Sequence, residues 1–130
     1  ASPMSMKAAI ELADSMKLKR KIAVLGDMLE IGKYTIDAHI EIGNQIAKVF
    51  SAKGGSASGG DILVTVGPRS KFIAEAASKK GMPIKNIFSF ESADDAKLKV
   101  QELMKKGDLV LVKGSHAMEL EKVVEEIKIV

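Results

Sequence analysis

The sequence predicts an α/β fold: a mostly parallel sheet with helices on both faces, in three layers. Three observations carry this expectation. Short apolar runs alternate with segments of helical period along the whole chain, the pattern of parallel strands joined by right-handed crossovers. The apolar runs are nearly continuous, as expected of strands covered on both faces. The length of 130 residues suits a single domain, residues 1–130, with one core.

Element by element, Ser2-Pro3 reads as an N-cap followed by a proline suited to the first helical position. Met6, Ala9, Ile10, Ala13 and Met16 recur at helical spacing, which predicts a helix to about Met16. Lys17 to Arg20 is a basic connector. Ile22-Ala23-Val24-Leu25, ended by Gly26, reads as a strand buried on both faces. A loop runs through Lys33. Thr35 to Phe50 is then helical, with Ile36, Ile40, Gly43, Ile46, Ala47 and Phe50 along one stripe. Gly54 to Gly60 is rich in Gly and Ser and is expected to be a mobile surface loop. Ile62 to Val66 is the second strand, closed by Gly67-Pro68, and Ser70 to Lys80 a helix stopped at Gly81. Asn86 to Phe90 is a weaker third strand. Ser92 caps a helix to about Lys106, stopped by Gly107. Asp108 to Val112 is the fourth strand, and Met118 to Lys128 the last helix. Opening on a helix is unusual for this class, and implies a strand upstream of Ala1 or in a neighbouring domain.

Composition excludes several functions. The net charge of +3 comes from lysines scattered among acids, which reads as solvated faces rather than a nucleic-acid footprint. Aromatic content of 4%, with no Trp, leaves no platform for stacking single strands. The absence of Cys excludes disulfides and thiolate metal sites and points to a reducing cytoplasm. No apolar run approaches the roughly 20 residues of a membrane span. The chain opens on Ala1-Ser2-Pro3 with no signal peptide, as a fragment or processed chain would.

In an open parallel sheet, ligands bind beyond the carboxyl ends of the strands. Those ends read Gly26-Asp27, Gly67-Pro68-Arg69, Glu91-Ser92 and Lys113-Gly114-Ser115-His116. The second and third are read as ordinary turn chemistry. The other two are candidates for function. Asp27 precedes Met28 and Leu29, apolar loop residues that need something to bury against, then Glu30 and Gly32. Asp27 either orients a cation, a metal-bound water or an amine, or caps a turn. Lys113 offers a point charge to a carboxylate or phosphate, and Gly114 permits close backbone approach. Ser115 is either a ligand contact or the N-cap of the last helix, and His116 either a ligand contact or a surface residue. His39, beside Ile36 and Ile40, is read as half-buried and structural. The two histidines are too far apart to signal a metal site. No phosphate loop and no Gly-x-Gly-x-x-Gly follows a strand, and no nucleophile stands near a base, so the chain reads as half of an active site.

Four segments then carry a resemblance: Ala1 to Ala9; Ala23 to Gly32, with Gly26-Asp27-Met28-Leu29-Glu30-Ile31-Gly32; His39 with Gly43; and Leu111-Val112-Lys113-Gly114-Ser115. In order and spacing they resemble the C-terminal domain of the Mur ligases. Within that family the likeness is to members that add D-alanyl-D-alanine to UDP-N-acetylmuramoyl-tripeptide. The resemblance implies a Rossmann-like domain that closes over ATP and helps place the dipeptide. It also implies that UDP-sugar and central ATPase domains lie outside this chain, the latter holding ATP and Mg2+. The expected reaction passes through an acyl phosphate in a cytoplasmic, monomeric enzyme with no nucleic-acid or membrane partner. This chain alone is expected to lack ligase activity.

Carried over by position, Asp27, Met28, Glu30 and His39 face the nucleotide and reacting centre. Lys113, Gly114, Ser115 and His116 lie on the dipeptide side, and Glu121 matches an acid the family places after Lys-Gly-Ser. The family usually has Arg at His116 and Met at Leu120, and uses a Tyr-Asn step just upstream of Ala1 near the ATP ribose. The Gly54 to Gly60 loop is longer than the family pattern. The alternatives are a free-standing small-molecule-binding or regulatory α/β module, and a purely structural or interaction domain.

Overall fold

The computed structural model describes residues 2–16, 20–29, 32–50, 60–114 and 128–129. Helix α1 spans Pro3–Asp14, strand β1 Lys21–Gly26, α2 Thr35–Val49, β2 Ile62–Val66, α3 Lys71–Lys79, β3 Ile87–Phe90, α4 Ala93–Leu103, β4 Leu109–Lys113 and β5 Lys128–Ile129. The described strands form one sheet in the order β3-β2-β1-β4-β5. β1 pairs in parallel with β2 and β4, and β2 with β3, while β5 runs antiparallel to β4. The α/β expectation therefore holds, with an antiparallel edge added.

Alternation along the buried strands divides the core in two. Ala23, Leu25, Leu63, Leu109 and Leu111 point toward α1, α2 and α3, joining Met6, Ile10, Ile42, Ile46, Phe50 and Ile73. Ile22, Val24, Ile62, Val64, Val66, Val110 and Val112 point the other way, against Ala93, Ala96 and Val100 of α4. Helices thus cover both faces, three on one side and one on the other among the described residues.

Capping explains where helices start. Ser2 accepts the Ser5 N–H while the Ser5 hydroxyl accepts the Ser2 N–H, a reciprocal cap ahead of Pro3. Ser92 accepts the Asp95 N–H at the start of α4. Gly81, at φ +112°, ends the turn after α3 in a conformation that side-chain-bearing residues rarely adopt.

Three expectations are corrected. α4 stops at Leu103 rather than near Lys106. Arg20 donates to the Leu103 carbonyl at 2.7 Å and so satisfies an acceptor at the helix end, and Asp108 accepts the Lys105 N–H at 2.9 Å in the turn that follows. On α2 the buried side is Ala38, His39, Ile42, Gly43 and Ile46, while Ile36 and Ile40 are 46% and 37% exposed. Gly43, Ile46 and Phe50 of the predicted stripe are buried, while in its first half Ala38, His39 and Ile42 take the place of Ile36 and Ile40. Lys128, placed at the end of a last helix, is instead in β5. The rest of that helix, residues 118–127, and the Gly/Ser segment 51–59 lie outside the described residues.

The amino ends of the strands hold a buried polar cluster. Arg20 grips Asp108 through two bonds, Nε to Oδ1 at 3.0 Å and Nη2 to Oδ2 at 2.6 Å. Asp61, 2% exposed, accepts the Lys21 N–H at 2.8 Å, and its carbonyl accepts from Asn86. Burial raises the Asp61 carboxyl above its ordinary value of 3.8, and nearby Asp108 adds to this, against the Lys21 N–H and the Lys21 and Arg20 charges. Folding therefore favours the protonated form. Its stabilising effect is complete below pH 3.8 and is lost as pH rises through the raised value. Asp61→Asn cannot ionise, so it should gain on the wild type as pH climbs through that window, then level off. Denaturation midpoints of both proteins across the acid range test this, and a pH-independent difference would rule it out.

Candidate functional site at the carboxyl edge of the sheet

In the strand order β3-β2-β1-β4-β5, β1 connects onward to one side and β4 returns on the other. The carboxyl ends of β1 and β4 therefore flank the point where the winding reverses, the position at which open α/β sheets hold ligands. Leu25 pairs with Lys113 in this register, so Asp27 and Lys113 emerge on adjacent strands.

Asp27 is fully buried. Its Oδ1 accepts the Ser70 N–H at 2.7 Å, at the first turn of α3. Of the two sequence readings, the capping bond is present, although it caps a neighbouring element rather than its own turn. A carboxylate suits that place because it meets the exposed N–H groups and positive end of the helix dipole. Oδ2 makes no hydrogen bond among the described residues, and the Arg69 guanidinium stands 3.6 Å from it. The Arg69 side chain is 48% exposed, so this cation is presented at the edge while its counter-charge is buried. Ser70, itself buried, returns its hydroxyl to the Gly67 carbonyl and closes the turn after β2.

Two expected site residues face inward. Met28, read as facing the reacting centre, has a fully buried side chain in the core beneath α2 and α3. The apolar loop residue did need something to bury against, and it found the domain's own interior. His39, read as half-buried beside Ile36 and Ile40 and, by resemblance, as facing the nucleotide, is fully buried. Its Nε2 accepts the Met28 N–H at 3.0 Å and its Nδ1 lies against the Thr35 carbonyl. Both ring nitrogens are thereby satisfied inside the fold.

Lys113 ends β4 partly exposed, with no carboxylate paired to it among the described residues, and Gly114 follows. Glu30, Ser115, His116 and Glu121 lie outside the described residues. Beyond the predicted set, the fold brings in Arg69, Ser70 and Lys71. Lys71 pairs with Glu91 at 2.5 Å, and that hydrogen bond and charge raise its ammonium above the ordinary 10.5. The signal for Arg69 was present in Gly67-Pro68-Arg69 and was read as turn chemistry.

Among the described residues no group of three His, Asp or Glu is placed to hold a metal ion. The donors described at this edge are therefore too few to hold Mg2+ by themselves. A groove of about 550 Å³ lies elsewhere, between α1 and α2, lined by Lys7, Glu11, Asp14, Glu41 and Lys48 among others.

The family model described as "Mur ligase, glutamate ligase domain" matches residues 1–116. The UDP-N-acetylmuramoyl-tripeptide–D-alanyl-D-alanine ligase of Bacillus subtilis is 38% identical over 98% of this chain and 26% of that protein. The ligase of the same name from Treponema pallidum is 31% identical over 94% of this chain and 24% of that protein. A crystal structure of MurF ligase from Thermotoga maritima in complex with ADP superposes with a TM-score of 0.69 at 25% identity, covering 95% of this chain and 25% of that one. MurF from Acinetobacter baumannii, at 23% identity and a TM-score of 0.72, shares the fold over 94% of this chain and 25% of its own. The chain spans about a quarter of the length of these relatives.

Proposed function

Since this chain belongs to the Mur ligase family, matching its C-terminal, glutamate ligase domain, we propose that it forms one wall of a ligase active site. The reaction is ATP-dependent addition of D-alanyl-D-alanine to UDP-N-acetylmuramoyl-tripeptide. The names of the relatives favour the dipeptide over glutamate as the incoming substrate. In that chemistry ATP converts the tripeptide carboxylate to an acyl phosphate, and the dipeptide amine displaces phosphate from it. The observation that carries the reading is that Asp27 and Lys113 stand at the carboxyl ends of adjacent strands at the winding reversal, on a chain without a phosphate loop of its own.

Each edge residue has a defined part. Asp27 fixes the first turn of α3 and holds Arg69 at the rim. Lys113, unpaired among the described residues, supplies a cation for the dipeptide carboxylate, and Gly114 leaves room for the ligand backbone. Glu30, Ser115 and His116 complete the proposed wall. The central domain of the whole enzyme supplies the ATP and Mg2+ sites. On this reading the enzyme acts as a monomer in the cytoplasm. No helix among the described residues is long and apolar enough to cross a membrane.

In the full-length enzyme, Lys113→Ala should raise the apparent KM for D-alanyl-D-alanine about tenfold or more, the loss of one charge-assisted contact. The KM for ATP should move little. Steady-state kinetics with each substrate varied in turn checks this, and an unchanged dipeptide KM with normal turnover would exclude the role.

A further inference from the structure

We infer that His39 is a positioning residue, which holds the backbone of Met28 and through it fixes Asp27 at the carboxyl edge of the sheet. The ring is fully buried on α2. Its Nε2 faces an N–H donor, the Met28 amide, and its Nδ1 faces an acceptor, the Thr35 carbonyl. A donor on one side and a carbonyl on the other suit one state of the ring: neutral, with the proton on Nδ1. In that state the imidazole bridges the first turn of α2 to the loop after β1.

Met28 is held twice, by its side chain in the core and by its amide on His39. Asp27, one residue earlier, is held by its bond from the Ser70 N–H. Gly43, one turn after His39 on the buried side of α2, lets α3 approach closely on the same face. The loop, α2 and the first turn of α3 are therefore braced as one unit, with Asp27 at its rim. His39, fully buried, acts through Met28.

Two variants separate the two bonds of the ring. His39→Asn can donate its amide N–H to the Thr35 carbonyl but has no atom at the place of Nε2. His39→Gln puts an acceptor oxygen near that place and keeps the Met28 bond. Amide exchange and NMR shifts are read on this chain. Turnover is read in the full-length ligase, and only that arm rests on the function proposed above.

His39→Asn should speed Met28 amide exchange about tenfold and lower kcat by a similar factor, while His39→Gln stays within about threefold of wild type. The Ser70 amide, 31 residues after His39 and bonded to Asp27, should shift in His39→Asn. A histidine serving only its own helix would leave Ser70 unmoved, and that result would overturn the inference. Wild-type Met28 exchange persisting in His39→Asn would do the same. Should both variants fail to fold, the wild type decides: a scalar coupling across the hydrogen bond from the Met28 N–H to His39 Nε2 supports the brace, and its absence overturns it. A wild-type full-length protein without ligase activity would refute the functional reading, and the amide measurements would still decide the brace.

Discussion

Replacing Asp108 by alanine should lower the stability of this domain by about 3–5 kcal/mol, the cost of removing one partner of a buried ion pair. Domains of this size are stable by roughly 5–15 kcal/mol, so the change removes a large share of the total. The side chains of Arg20 and Asp108 are only 6% and 5% exposed. The deletion would take both carboxylate bonds from the guanidinium and the acceptor of the Lys105 N–H in the turn after α4. The damage should come from a buried guanidinium that loses its carboxylate partner rather than from loss of a net favourable pair. Converting both residues together, Arg20→Met with Asp108→Leu, should therefore recover much of the loss. Urea midpoints of the single and double variants measure this. A single variant within about 1 kcal/mol of wild type would show the pair to be no more than a surface-grade contact.

Gly43→Ala should destabilise by about 1–3 kcal/mol, although helix propensity alone favours alanine by about 1 kcal/mol. An added Cβ would sit 2.3 Å from the Ile73 carbonyl oxygen and 2.7 Å from the Ala76 Cβ. The first of these is backbone of α3, so relief requires α2 and α3 to separate. Their separation would disturb the layer that carries Ser70 and thus the seat of Asp27. Thermal unfolding checks the sign. A midpoint equal to or above wild type would mean that the helices are not in close contact at this point.

These two sites differ in how visible they were in the sequence. Gly43 stood in a recognisable spacing with His39, yet nothing local says which helix a glycine admits. Arg20 and Asp108 are 88 residues apart, and each looked like part of a connector or a strand start. Strand positions were legible because burial on both faces demands continuous apolar runs, as in Ile62–Val66, predicted and found with the same bounds. The first half of the stripe on α2 was not, because Ile36 and Ile40 are as apolar as Ile42, and periodicity alone cannot rank adjacent stripes.

The candidate site divides in the same manner. Asp27 and Lys113 were legible because strand ends and glycines mark the carboxyl edge. Arg69 was passed over because Gly-Pro-Arg is also an ordinary turn. The sequence by itself determined the alternation of helices and strands, the family likeness and the two loops that carry the edge chemistry, since these depend on residues near one another in the chain. Only the tertiary structure decided that Met28 and His39 point inward, that Asp27 caps α3, and that Arg20 closes on Asp108. Each of those depends on a partner from another element, and which partner arrives is set by packing the helices onto a twisted sheet.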